Sequence, residues 1–182
     1  MKLFKIPEFL SIEECDVIYN RILETEEFVK SLGEDVHSGT ADNSLTGRHW
    51  CHNYLYDDVI GNILLPKFRV VLGRKRYVQC WANTFRTGEG IAKHRHRDPT
   101  APGAPPVDWT CTNLFIGGDP GLGTWFDGVK NENKRGELML FPSSLYHWVP
   151  PNKIDQVRIS MAADVHYTRP PGYNENQYYN LT

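Results

Sequence analysis

His94, His96 and Asp98 occupy alternate positions of the run Lys93-His-Arg-His-Arg-Asp98, and His147 follows much later in the chain. On a strand, alternate side chains leave the same face, so this run offers a metal ion two or three ligands from one element. His147 follows Gly136-Glu-Leu-Met-Leu-Phe-Pro142, a segment with strand patterning that ends in proline and so sets the histidine at a sheet edge. Imidazoles with a carboxylate, grouped so that further positions on the ion stay open, suit non-haem Fe(II). Alone, His-Arg-His-Arg-Asp is a solvated basic turn; the later residues turn it into a site. Arg158 and Ser160 form the second group. They alternate with Val157, Ile159 and Met161, so one face of their strand is apolar and the other needs a polar interior. A guanidinium beside a hydroxyl suits a carboxylate, with about 1.5–3 kcal/mol from the charged hydrogen bond.

The rest of the chain must position these groups. Lys2 to Phe9 has the pattern of a short first strand. Ser11-Ile-Glu-Glu14 is a capping box, with Leu10 and Cys15 placed as a hydrophobic staple. Ile12, Cys15, Ile18, Tyr19, Ile22 and Leu23 then recur at helical spacing, predicting a helix to about Val29. A second helix is expected over Asp57 to Leu72, kinked or restarted at Pro66 and stopped at Gly73. From Tyr77 the pattern turns to strands: Tyr77 to Phe85, Ile91 to His96, Trp109 to Ile116, Thr124 to Phe126, Glu137 to Phe141, Tyr146 to Val149 and Val157 to Val165. Helices first and short strands later argue an α+β domain with a double-sheet jelly-roll core and the N-terminal helices packed on one sheet. We divide one domain into helical support (1–75), jelly-roll core (76–167) and a polar tail (168–182).

At 182 residues, with 40% hydrophobic and 23% charged residues, one domain can bury its own core. The net charge of −2 and the lack of a basic run give a nucleic-acid backbone no electrostatic footing. Cys15, Cys51, Cys80 and Cys111 are widely spaced without a C-x-x-C, and read as reduced thiols. No apolar run reaches membrane-span length, and Pro7 and Glu8 interrupt the start before a signal-peptide core forms, so a cytoplasmic protein is expected. His37, His49 and His52, in the polar stretch from Ser31 to Asn53, lack regular spacing and read as loop histidines.

Several runs carry a resemblance. Asn83-Thr-Phe85-Arg-Thr-Gly88, followed by His94-x-His96, looks like the N-x-[YF]-x-x-G-x5-H-x-D run of 2-oxoglutarate- and Fe(II)-dependent oxygenases. Phe9 to Asp16 resembles the opening helix of the prolyl 4-hydroxylase-like branch, and Gly121-Leu-Gly-Thr-Trp-Phe126 resembles the superfamily's G-G-x-T-x-F strand. Gly136 to His147, Val149-Pro-Pro-Asn152 and Arg158-Ile-Ser160 resemble a phage- and bacteria-associated group of 2-oxoglutarate oxygenases. The resemblance implies a double-stranded β-helix, Fe(II) as metal and 2-oxoglutarate as co-substrate. Its distal carboxylate would be gripped by Arg158 and Ser160, with Asn83 adding a hydrogen bond.

One departure leaves two triads open. Counting from Gly88, His96 falls where most of the superfamily has its Asp, and Asp98 lies two residues further. Register favours His94, His96 and His147. Charge favours His96, Asp98 and His147, because a carboxylate offsets the dication. We take the first set, with Asp98 as an alternative ligand or an acceptor that orients a histidine. Trp81, Trp125 and Trp148 are candidates for the substrate pocket, although aromatic strand residues more often fill cores.

The function implied is a dioxygenase that uses O2 and 2-oxoglutarate, releases succinate and CO2, and hydroxylates an unactivated C–H of a protein side chain or small molecule. Two alternatives stand beside it. One is a cupin-like metal-binding protein or oxygenase that does not use 2-oxoglutarate. The other is a nucleic-acid demethylase, which expects a second arginine six residues after Arg158, where this chain has Asp164.

Overall fold

The computed structural model describes residues 3–32, 52–96, 110–169 and 177–182. Helix α1 (Ile12–Ser31) begins at the expected capping box: Ser11 Oγ accepts from Glu14 N, and Glu14 reaches back to Ser11 N. Helix α2 (Asp58–Leu72) is capped by Asp57, whose carboxylate accepts from Val59 N and Ile60 N, and it runs through Pro66 without a break. Gly73, at positive φ, ends it.

The strands are β1 (Phe4–Ile6), β2 (Tyr77–Phe85), β3 (Ile91–His94), β4 (Thr110–Gly117) and β5 (Thr124–Phe126). They continue with β6 (Val129–Asn131), β7 (Leu138–Pro142), β8 (His147–Val149), β9 (Arg158–His166) and β10 (Tyr179–Asn180). The main sheet has six strands in the order β1-β7-β4-β9-β2-β10, and the minor sheet four in the order β3-β8-β5-β6. Every strand pairing within the two sheets is antiparallel. This is the α+β double-stranded β-helix expected from the sequence. The segment before the helices and the segment after residue 168 each add a strand to the main sheet, β1 beside β7 and β10 beside β2.

Strand alternation divides the main sheet into two chemically different faces. Val78, Cys80, Ala82, Ile159, Met161 and Ala163 form one core with Ile18 and Ile22 of α1 and Leu64 and Phe68 of α2. Both helices therefore cover the outer face. The opposite face carries Trp81, Asn83 and Phe85 of β2 across from Ala162, Ser160 and Arg158 of β9, and Cys111 of β4 across from Asp164. Polar groups thus line the interior between the sheets. Helix α1 also holds the start of β9, where Tyr19 Oη donates to Val157 O at 2.9 Å.

Candidate metal centre and anion pocket

The minor sheet assembles the histidines. His94 ends β3 and lies directly opposite His147 on β8, with ring centroids 4.3 Å apart. The sequence pattern placed His96 on the same strand, but β3 stops at His94, and His96 N donates instead to Ser143 O at 3.0 Å. The chain leaves the ladder yet still turns His96 toward the other two. One ring nitrogen from each of His94, His96 and His147 lies within 4.8 Å of the others. Asp98, with Pro99 to Asp108, His37 and His49, lies outside the described residues. His52 packs edge-on against Tyr54 and Phe28.

A hydrogen-bond acceptor sits at the Nδ1 of every histidine in the triad. Nδ1 of His94 is 2.8 Å from Ala92 O, Nδ1 of His147 is 3.0 Å from Leu145 O, and Nδ1 of His96 is 2.8 Å from Asp164 Oδ1. Each contact favours the tautomer protonated on Nδ1, which leaves Nε2 with its lone pair free for a metal. Burial first, and then the two neighbouring imidazoles, push the pKa of His147 down to about 3, so it stays neutral, as a ligand must be. Burial lowers His94 as well. Burial also opposes the charged form of His96, but the charge and hydrogen bond of Asp164 outweigh it and raise that pKa. The donor set suits a divalent cation.

Sequence reasoning missed Asp164 as part of this centre. The signal was present: Arg158, Ser160, Ala162 and Asp164 share one parity, so Asp164 must face the same interior as the arginine. Its carboxylate also accepts from the Cys111 thiol at 3.1 Å.

Deeper between the sheets lies Arg158, fully buried, with its guanidinium 5.4 Å from the ring centroid of Phe85 and 5.5 Å from that of Phe115. Nε, Nη1 and Nη2 have no hydrogen-bond partner among the described residues. Burial pulls its pKa down to about 10, and the more distant charge of Asp119 works against that shift. Ser160 and Asn83 sit beside it as cross-strand partners, with Asn83 Nδ2 3.5 Å from Ser160 Oγ. A buried cation without an acceptor is strongly disfavoured unless an anion enters, so the pocket fits a carboxylate such as that of 2-oxoglutarate. Gly118 makes the close packing possible: at φ 96° it lies where a Cβ would meet Arg158 Cα at 2.5 Å.

The three candidate pocket tryptophans separate. Trp81 stacks over His96, with ring centroids 5.8 Å apart. Trp125 and Trp148 stack on each other across β5 and β8 at the same centroid distance. They alternate with Phe126 and His147, so they leave the opposite, outer face of the minor sheet. There they line an open groove of about 660 Å³ with Leu122, Asp119, Lys130 and Lys153. The period of two therefore takes both tryptophans away from the triad, and only Trp81 keeps a place beside it.

Comparisons with known proteins agree with this architecture. Residues 120–164, which include His147, Arg158, Ser160 and Asp164, match the family model described as "Putative 2OG-Fe(II) oxygenase". No curated protein sequence matches the chain. Among solved structures, the chain is similar to the viral collagen prolyl hydroxylase of Paramecium Bursaria Chlorella virus-1 in complex with 2OG. That similarity has a TM-score of 0.63 at 18% identity, covering 92% of this chain and 97% of the other. A prolyl-4-hydroxylase of Pseudomonas putida superposes with a TM-score of 0.55 at 15% identity, covering 92% and 93%. HygX of Streptomyces hygroscopicus, with nickel and 2-oxoglutarate bound, gives 0.61 at 10% identity, covering 95% and 84%. The matched segment covers residues 120–164, about a quarter of the chain, and the similar structures share the fold of this chain. The histidine triad is suited to a divalent metal and the arginine pocket to a carboxylate.

Proposed function

We propose that this protein hydroxylates an unactivated C–H of a protein side chain or small molecule, consuming O2 and 2-oxoglutarate and releasing succinate and CO2. The observation that carries this reading is the fully buried guanidinium of Arg158, whose three nitrogens have no hydrogen-bond partner among the described residues. Pairing with an anion would offset the cost of burying such a group.

His94, His96 and His147 would hold the metal. When bound, Fe(II) with 2-oxoglutarate and O2 supplies the oxidising chemistry that couples loss of CO2 to oxidation of the substrate. The chain's own residues bind, orient and exclude water. Arg158 and Ser160 take one carboxylate, with Asn83 adjacent. Phe85 and Phe115 keep water off the guanidinium, which strengthens the ion pair by lowering the local dielectric. Trp81 stacks over one face of His96.

Two of the similar structures are prolyl hydroxylases, which supports testing peptidyl substrates first. That branch usually carries lysine where Arg158 stands, a change in the grip on the co-substrate that leaves the choice of C–H open. The demethylase alternative loses support at position 164, where the second cation it needs is a carboxylate bonded to His96.

The test is succinate formation from 2-oxoglutarate by the iron-loaded protein under O2, against panels of peptides and metabolites. We expect substrate-stimulated succinate that Arg158→Ala abolishes. An iron-binding wild type that makes no succinate under any condition would favour the cupin-like alternative.

A further inference from the structure

Three neutral imidazoles bring no negative charge to a dication, whereas two imidazoles and a carboxylate bring one. The charge is present one layer further out. Asp164 is buried on the interior face of β9, on the same side as Arg158 and Ser160. Its Oδ1 lies 2.8 Å from His96 Nδ1 and 3.1 Å from the Cys111 thiol. Among the described residues its ion-pair partner is His96, and no Lys or Arg ion pair is seen with it. Burial disfavours its charge, and the charge and hydrogen bond of His96, the Cys111 thiol and the charge of His166 offset that cost. A dication on the far nitrogen of the same ring would face this carboxylate through the imidazole.

We propose that Asp164 is a positioning residue of the metal centre and the source of the negative charge that the His94–His96–His147 set lacks. It holds His96 protonated on Nδ1, aims Nε2 inward, and acts on the metal through the ring rather than by touching it. Trp81 over the ring and Ser143 O on the His96 backbone leave little freedom for another orientation. This inference rests on the triad being the metal site.

A competing arrangement uses the same carboxylate. His96, Cys111 and Asp164 also bring ligand atoms within 4.8 Å of one another. Binding there would draw Asp164 and Cys111 into direct coordination and displace the hydrogen bonds that now join them, whereas binding at the triad keeps every one.

The experiment uses the full chain, metal-free and anaerobic, titrated with Fe(II) and with Co(II). Asp164→Asn keeps shape and removes charge, and it is expected to weaken both metals by about 10–100-fold. Ser11→Ala, a helix-cap change remote from the site, controls for lost stability and is expected to leave metal affinity unchanged. In the Zn(II)-loaded wild type, imidazole NMR should show His96 coordinated through Nε2, with a slowly exchanging proton on Nδ1 that shifts or disappears in Asp164→Asn. Wild-type metal affinity in Asp164→Asn together with an unmoved Nδ1 proton would overturn the inference. A thiolate-to-cobalt charge-transfer band in the wild type would also overturn it, by putting the ion on Cys111. If Asp164→Asn does not fold, the wild-type zinc and cobalt spectra decide alone. A wild type that binds no metal would sink the triad and this inference together, whereas a wild type that binds metal alongside an unaffected variant would sink only the inference.

Discussion

His94 and His147 face each other directly across β3 and β8, their ring centroids 4.3 Å apart. This pairing brings the distant His147 to the His94–His96 pair, and it packs three imidazoles closely enough that their protonation states are linked.

The pKa shifts predict how many protons a metal displaces. His147 and His94 are lowered, chiefly by burial, so both are already neutral near neutral pH. His96 is raised above its ordinary 6.5 because Asp164 outweighs burial, so it alone holds a proton that the metal must displace. Metal binding near pH 6.5 should therefore release about one proton rather than three, and affinity should fall as pH drops through the raised pKa of His96. Stability of the metal-free protein has opposing parts. The contributions of His94 and His147 are present above pH 6.5 and lost as pH falls from there, for His147 down to about 3. The contribution of His96 is present below 6.5 and lost as pH rises through its raised value. Calorimetry in buffers of different ionisation enthalpy counts the protons, and thermal melts against pH check the stability signs.

Arg158→Met replaces a buried cation that has no hydrogen-bond partner among the described residues with an apolar chain of similar reach. The metal-free protein should become more stable, each kcal/mol gained raising Tm by about 2–4 °C. The stabilisation that 2-oxoglutarate gives the wild type should vanish. Melting curves with and without 2-oxoglutarate measure both effects, and a lower Tm for the variant would mean that Arg158 is satisfied without a ligand.

Gly118→Ala strains a backbone at φ 96° and drives a methyl against Arg158 Cα. A stability loss of about 1–3 kcal/mol is expected, with KM for 2-oxoglutarate raised more than the metal Kd, because the arginine moves and the histidines do not. Equal losses in both constants would show that the damage is general.

Much of the site was legible because strand chemistry is periodic. Arg158-x-Ser160 with apolar neighbours implied one polar and one apolar face, and the sheet carries both. The capping box at Ser11 and Glu14 fixed where α1 begins. The same periodicity, applied consistently, would have placed Asp164 inside and Trp125 and Trp148 outside, since position 148 has the opposite parity to His147. Other features were not local. The end of β3 at His94 depends on Ser143 O from a distant turn, and β6 and β10 are too short to carry an alternation of their own. β10 takes its form from β2, far away in sequence, whereas β6 pairs with β5 across the adjacent Asp127-Gly128 turn, which a hairpin reading could have found.

In the proposed function one chain holds a metal at three histidines and a carboxylate at Arg158, joined by one ligand. An anaerobic titration of the Fe(II)-loaded protein with 2-oxoglutarate tests it most directly, because chelation of the iron by 2-oxoglutarate gives a visible charge-transfer band. We expect a saturable band in the wild type. In Arg158→Ala, iron should still bind, and the band should vanish or need about 10–100-fold more 2-oxoglutarate. No band in an iron-loaded wild type, or an Arg158→Ala band that saturates at the wild-type concentration, would mean that the histidines and Arg158 do not share 2-oxoglutarate.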